Sequence, residues 1–373
     1  MTVSLLRNTR LFFTTNLSST GAVKDTGFLP SNTFELQVLS GISVSQKTMQ
    51  QNVTSANLGT PNRAKIEYTS SIEPADFYFS TYIRPSISSG IISCDEHVLW
   101  NAFAGKGGVQ STTPAWVDGS TTTPAELSFK YSNTTQLQQF GLIVVLDNIT
   151  YALDNAVLNQ VSIDFSIDGI STALWEGKGV VLRQLGTVTA TKGTTVLLSG
   201  AISGSAKAPN TLAPFIANKL SSLQITNSSA TMYNLAITTG NIVLSNNITF
   251  VNTDGILELK HPIGYYTGTR SVSGTLTTYL KTGSANSGAL ATELLQNINL
   301  VNSDLYSVVL HIGGINSVNR VKLEMPAVLL NTPDLSLDSA VSVNISFTAQ
   351  ATTLNERSLT GTNEVSLKYY SAV

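Results

Sequence analysis

The stretch Val161-Ser-Ile-Asp-Phe-Ser-Ile-Asp168 alternates without a break: Val161, Ile163, Phe165 and Ile167 against Ser162, Asp164, Ser166 and Asp168. A period of two marks a strand with one face buried and one face in water, because successive side chains leave the pleated backbone on opposite sides. The rhythm recurs upstream, where Phe34, Leu36 and Val38 alternate with Glu35 and Gln37. After Ser40-Gly41 it resumes as Ile42 and Val44 against Ser43 and Ser45, so the glycine marks a hairpin turn or a bend. Late in the chain Val341, Val343, Ile345 and Phe347 alternate with Ser342, Asn344 and Ser346. The chain reads as mainly β.

Two segments depart from the alternation. Ser93 and Glu96 have capping-box spacing, and Val98, Leu99, Ala102 and Phe103 then recur at helical intervals until Gly105. Leu290, Leu294, Leu295 and Ile298 form one apolar face over Ala289 to Ile298. Both predict short helices, each a lid on a sheet.

The elements recur in order. Phe34 to Ser45 resembles Tyr233 to Ser245, and Phe79 to Arg84 resembles Leu276 to Lys281. The helix at 93–103 answers that at 289–298, Val144 to Leu146 answers Val308 to Leu310, and Val161 to Ile167 answers Val341 to Phe347. Such a series predicts a tandem duplication. The expected organisation is an N-terminal arm over 1–29, a first β-domain over 30–198, a linker over 199–218 and a second β-domain over 219–373. Two long loops are expected in the first domain, at 56–69 and 105–125, and loops of that length usually carry function.

Composition excludes several classes. Of 373 residues only 12% are charged, 21 Lys+Arg against 23 Asp+Glu, while 42% are hydrophobic. That apolar content is too high for a disordered chain, and no cationic excess is available to neutralise phosphates. A surface so poor in charge is weakly defended against self-association. Cys94 is the single cysteine, so no disulfide framework is expected. The first residues show no apolar signal-peptide core, and no apolar run approaches membrane-spanning length. Sequons such as those at Asn52 and Asn247 are read as accidents of an Asn/Thr/Ser-rich chain.

No catalytic constellation emerges from the residues. His97, His261 and His311 lie far apart with no metal-ligand spacing, so no metal and no cofactor are expected. Cys94 lacks a paired base and is read as inert. Gly105-Lys-Gly-Gly108 lacks the spacing of a phosphate loop. Asp164 and Asp168 share a strand face but stand about 13 Å apart at ~3.3 Å per residue, too far for joint ligation. Glu73 with Asp76 is an equally weak pair. Trp100 belongs to a helix core face, whereas Trp116, on the second long loop, is placed to touch a partner. The chain is read as no enzyme.

Phe34 to Gln46, Pro74 to Pro85 and Asn159 to Ile170 followed by Trp175-Glu-Gly-Lys-Gly179 together resemble the tail tube proteins of long-tailed bacteriophages. The likeness covers much of 30–185; the second half shares it mainly through the repeat. The resemblance implies two tandem tube-like β-sandwich or barrel domains, each with a short flanking α-helix. It implies a virion protein that self-assembles into stacked rings in the bacterial host cytoplasm and forms a tail tube. That tube holds a tape-measure protein, meets sheath or baseplate proteins, and conducts DNA without binding it specifically or inserting into a membrane. Two domains per chain favour a trimeric ring with pseudo-sixfold symmetry over the alternative, a hexamer whose second domain decorates the outside or acts in a baseplate junction. Glu35, Gln37, Ser43, Ser45, Asn234 and Ser245 are the candidate lumen-facing residues. The alternative is a baseplate, tube-junction or decorating module of adhesin or carbohydrate-binding type.

Overall fold

The computed structural model describes residues 8–54, 65–105, 115–128, 137–147, 149–166, 168–251, 261–297, 305–315, 318–337, 340–352 and 364–371. Strand makes up 60% of it, with two α-helices, and no sheet closes into a barrel, so the fold is mainly β in its open, sandwich form.

A set of elements occurs twice. The first set is β1 (Thr9–Thr14), β2 (Thr33–Leu36), β3 (Ser43–Ser45), β4 (Ala75–Tyr82), α1 (His97–Ala104), β5 (Phe140–Leu146), β6 (Ile149–Ser166), β7 (Thr172–Gly179) and β8 (Val181–Leu185). The second set is β9 (Ser222–Thr226), β10 (Met232–Leu235), β11 (Ile237–Ser245), β12 (Ser271–Tyr279), α2 (Ser287–Asn297), β13 (Tyr306–Ile312), β14 (Arg320–Leu330), β15 (Asp334–Leu337), β16 (Val341–Ala349) and β17 (Ser366–Tyr370). The outer order β2-β1-β5-β6-β8 is answered by β10-β9-β13-β14-β17. The inner order β3-β4-β7-β6 is answered by β11-β12-β16-β15, with β14 and β15 together standing for the single long β6. All these ladders are antiparallel. One strand thus serves both layers, and β6 changes layer at a register shift between Leu158 and Gln160, where an extra residue bends it.

The structure decides one sequence expectation between its two alternatives and revises three others. Although Phe34 to Ser45 alternates throughout, β2 pairs with β1 and β3 with β4, so the segment is a bent strand crossing between layers and not a hairpin. Gly41, at φ +97°, supplies the left-handed backbone of that crossing. Val341 to Phe347 belongs to β16, which answers β7 and not β6; alternation alone cannot tell one half-buried strand from the next. The residues expected as an arm include β1, a central strand whose Leu11, Phe12 and Phe13 are all buried. At α1 the capping box does not form: Ser93 donates to Asp118, and the Glu96 carboxyl turns inward.

The main core lies between the two layers and runs through both repeats. Trp175 from β7 and Trp100 from α1 meet edge-on at 4.7 Å, both fully buried. Burying a large apolar side chain stabilises by roughly 1.5–3 kcal/mol. A second cluster joins the back of the first outer sheet (Phe12, Ile143, Ala152) to Val188, Val196 and Leu198. Those three come from a four-stranded sheet made of Val188–Lys192, Val196–Gly200, Ser203–Ala206 and Thr26–Phe28. The expected linker therefore begins inside this sheet. Its later part is fastened by Arg84, which stacks its guanidinium 4.9 Å from the Phe215 ring and donates to the Ala213 carbonyl at 3.2 Å.

The repeats are joined strand to strand. Gln160 to Ser166 of β6 pairs antiparallel with Ser245 to Thr239 of β11, so the two inner sheets run on as one.

Candidate functional site: a polar sheet face and its edges

The joined inner sheet has the order β3-β4-β7-β6-β11-β12-β16-β15. Its ladders align the outward side chains in rows across the strands. One row runs Asp164, Asn241, Thr275 and Ser346; a second runs Ser162, Val243, Ser273 and Thr348. The inward rows of the same strands hold Phe77, Trp175, Val161, Ile163, Ile242, Leu276 and Ile345, all buried. Alternation in eight separate segments thus adds up to one continuous polar face over an apolar one.

That face carries little charge. On the outward positions of its strands stand Asp76, Asp164, Glu176 and Asp334 against Lys178. Lys178 is already paired with Asp76 at 2.5 Å. Asp164 accepts a hydrogen bond from Asn241, which also donates to Ser162 at 2.7 Å, and these contacts cross the junction between repeats. The remainder is mostly Ser, Thr and Asn. A face of this kind is mildly acidic and offers no cationic row to a phosphate backbone.

The sequence-selected residues divide between two places. Ser43 and Ser45 on β3 and Ser245 on β11 belong to the polar face, with Ser245 buried in a turn where it donates to Asn247 at 3.1 Å. Glu35, Gln37 and Asn234 lie elsewhere. Glu35, on β2 of the outer layer, is held by Arg10 at 2.6 Å with its side chain 12% exposed. Gln37 accepts a hydrogen bond from Arg84, and Asn234 is exposed on β10. The face residues on β4, β7, β12 and β16 were written in the same alternation, but no signal within a strand says which strands will lie side by side.

The long loops also resolve differently. Residues 65–69 are strand, part of a two-stranded hairpin of Thr48–Thr54 and Lys65–Ile72 that forms no ladder with any other described strand. It exposes Met49 and Tyr68. The intervening residues 55–64, like 106–114 of the second loop, lie outside the described residues. From 115 onward the second loop sends Ala115, Trp116, Gly119 and Ala125 inward and leaves Val117, Asp118 and residues 121–123 exposed. Trp116 is buried, meets Tyr369 at 5.2 Å and donates to Asp118 at 2.8 Å, so it has no free ring face for a partner.

Behind the face, one polar cluster ties the repeats together. Tyr369 of β17 donates to Glu96 at 2.9 Å and accepts from Trp100 at 3.1 Å. Burial, reinforced by Asp95 nearby, pushes the Glu96 carboxyl up to about 8, so it is largely protonated at neutral pH. Burial likewise raises the Cys94 thiol, which makes it an inert core residue. His97 bonds the Cys94 carbonyl at 2.7 Å and packs on Phe34; burial lowers its basicity. Asp164 is exposed on the sheet surface and belongs to no ligand set, for among the described residues no three His, Cys, Asp or Glu side chains gather to hold a metal. Among them, too, no helix is long and apolar enough to cross a membrane.

No protein-family model matches the chain. Among known proteins, the tail tube protein pb6 of Escherichia phage T5 is 28% identical over 377 aligned residues, which cover 94% of this chain and 73% of that protein. The likeness therefore extends across both repeats.

Proposed function

We propose, from the phage tail tube family that this relative supports, that the chain is a structural subunit which self-assembles into rings, and that the rings stack into a conduit for tape-measure protein and DNA. The observation that carries the reading is the continuous, charge-poor polar face of the eight-stranded inner sheet. As a lumen wall it would let a polyanion slide, whereas a basic wall would hold it by releasing counterions. Ser43 and Ser45 then line the channel, while Glu35, Gln37 and Asn234 stand away from it.

The doubled topology supports two tube domains per chain and hence three chains in a pseudo-sixfold ring. Width supports the same number. At ~4.8 Å between strands, eight strands span about 38 Å, so three copies enclose a ring about 37 Å across at the backbone and two copies only about 24 Å. Side chains on both walls would leave the smaller ring too narrow for a duplex. The projecting hairpin of Thr48–Thr54 and Lys65–Ile72 is assigned to ring-to-ring contact, where exposed Met49 and Tyr68 would become buried. The location follows as the virion tail, with assembly in the host cytoplasm and with sheath or baseplate proteins as further partners.

Negative-stain microscopy of the purified chain tests the proposal. Stacked rings with an axial hole are the expected result, and isolated particles at every concentration would refute it.

A further inference from the structure

The two outer sheets differ on the side turned away from the core. In the first repeat that side is apolar, and its Phe12, Ile143 and Ala152 are buried beneath the four-stranded sheet. In the second repeat β9, β13, β14 and β17 send Leu223, Leu310, Leu323 and Leu367 into the core, so Gln224, Val309, Lys322 and Lys368 point the other way. We propose that this side of the second repeat docks a partner of acidic, helical chemistry: an α-helix laid across the strands with carboxylates four residues apart. The proposed function supplies only the placement, since an inner sheet turned to the axis leaves this surface on the outside of the ring.

The ladders set like charges against each other. Lys322 on β14 lies directly across from Lys368 on β17, an arrangement that costs a sheet stability. His311 on β13 lies across from Lys322 on its other side. Arg320, two residues along β14, stacks 4.0 Å from the Tyr370 ring. One carboxylate bridges the lysines: Glu324 accepts from Lys322, and from Lys368 at 2.7 Å. An ammonium has three donors, so each lysine keeps two beyond that bond. The side chains of Lys322, Glu324 and Lys368 are 23%, 28% and 25% exposed, held by one another yet open to solvent. Arg320, Lys322 and Lys368 thus face only Glu324 and, at the margin, Glu126 across from Lys368, in a chain whose formal net charge is -2. Charge-assisted bonds to a carboxylate are what such half-buried ammonium groups make best.

Spacing selects the helix. His311, Lys322 and Lys368 stand on successive strands, about 4.8 Å apart along one row. Side chains four residues apart on a helix stand about 5–6 Å apart and match that row. Same-face side chains of an extended strand, two residues apart, stand about 6.6–6.8 Å apart and drift off it. The row continues through Glu126 to Val117, which is 49% exposed. Glu126 repels a third carboxylate there and Val117 offers an apolar contact, so the surface also fixes which way along the row the helix points.

Fluorescence anisotropy of the full chain with a labelled peptide tests the surface. The probe is an alanine-based helix carrying Glu at positions i and i+4 and Lys at i+8; its control has the same composition with the two Glu at i and i+2. The wild type should bind the probe, several-fold more weakly bind the control, and lose the probe as salt is raised. The variant carrying Lys322→Gln and Lys368→Gln should bind at least tenfold more weakly with wild-type circular dichroism, and Lys368→Gln alone several-fold more weakly. Glu324→Gln frees both lysines and should bind several-fold more tightly, whereas Lys178→Gln, on the inner sheet, should bind like wild type. No binding by the wild type, equal binding by Lys368→Gln, or equal binding of the control would each overturn the proposal. A short single-stranded DNA that displaces the probe as well as the probe itself would also overturn it, by marking a surface for any anion. If rings still form in those cases, the tail tube reading survives the loss. If the chain binds the probe but never forms rings, that reading falls and the docking surface stands.

Discussion

Phe77 on β4 lies directly across from Gly177 on β7, and its ring tip covers the glycine: a Cβ on Gly177 would sit 2.4 Å from Phe77 Cζ and 2.3 Å from the Val157 carbonyl oxygen. In the second repeat the corresponding pair is Gly274 on β12 and Phe347 on β16, with the two partners exchanged. The void above one strand is filled from the other in both repeats, so what they share is the packing and not the residue at each site.

Gly177→Ala should therefore destabilise the fold by about 2–3 kcal/mol, since neither a carbonyl oxygen nor a packed ring can withdraw from the new methyl. Gly274→Ala, whose Cβ would lie 2.3 Å from the Asn241 carbonyl oxygen, should do the same. Chemical denaturation of both variants checks this; wild-type midpoints would contradict it.

Stability should fall as pH rises through neutrality, on account of Glu96. Its carboxyl has an ordinary value of 4.5 and is raised to about 8 in the fold, because burial favours the neutral form. The contribution is thus fully present below 4.5 and lost as pH climbs through about 8. Glu96→Gln keeps a neutral partner for Tyr369 and cannot ionise. Its melting temperature relative to wild type should rise steadily between pH 5 and pH 9, because every tenfold weakening of a buried acid corresponds to about 1.4 kcal/mol. Parallel melting curves across that range would refute the assignment.

Glu324 should act in the opposite sense. Burial alone would raise it, but hydrogen bonds from Lys322 and Lys368 outweigh that and hold it at about 2. Its contribution is present above the ordinary value of 4.5 and is lost as pH falls through about 2. Glu324→Gln should cost stability at pH 7 and little at pH 2, as read by denaturation at the two pH values.

Replacing residues 49–71 by a short turn should leave rings intact and shorten or abolish tubes. The hairpin shares no ladder with the rest of the described strands, so its loss leaves both sandwiches whole. Tubes of normal length would remove it from ring stacking.

Strand character and the two helices were legible in the chain because both are local: alternation, a glycine stop, an apolar stripe. Four of the five repeat matches fall on equivalent elements, although Val144 to Leu146 and Val308 to Leu310 differ by two residues in ladder register. The polar face was half legible. Ser43, Ser45 and Ser245 show the small polar side chains of that surface, and Ser342, Asn344 and Ser346 were visible as one strand's polar side. That these strands adjoin depends on pairings far apart in the chain, such as β4 with β7, whose partners stand 90 to 104 residues apart, and no local pattern encodes them. Glu35 falls off that face because it continues the alternation of Ser43 and Ser45 across Gly41, where the chain changes layers. Trp116 misled because Gly, Thr and Pro around it resemble a surface loop, while Tyr369, which covers it, lies in the last strand of the second repeat.

The proposed assembly stands or falls on one arrangement: three copies join their inner sheets into one wall, with the Ser/Thr face toward the axis. Cryo-electron microscopy of the assembled protein is the decisive measurement. Stacked trimeric rings are expected, in which Asp164, Thr275 and Ser346 face an open channel and Trp175 lies behind them. A ring with that face turned outward, or a chain that remains single, would contradict the arrangement.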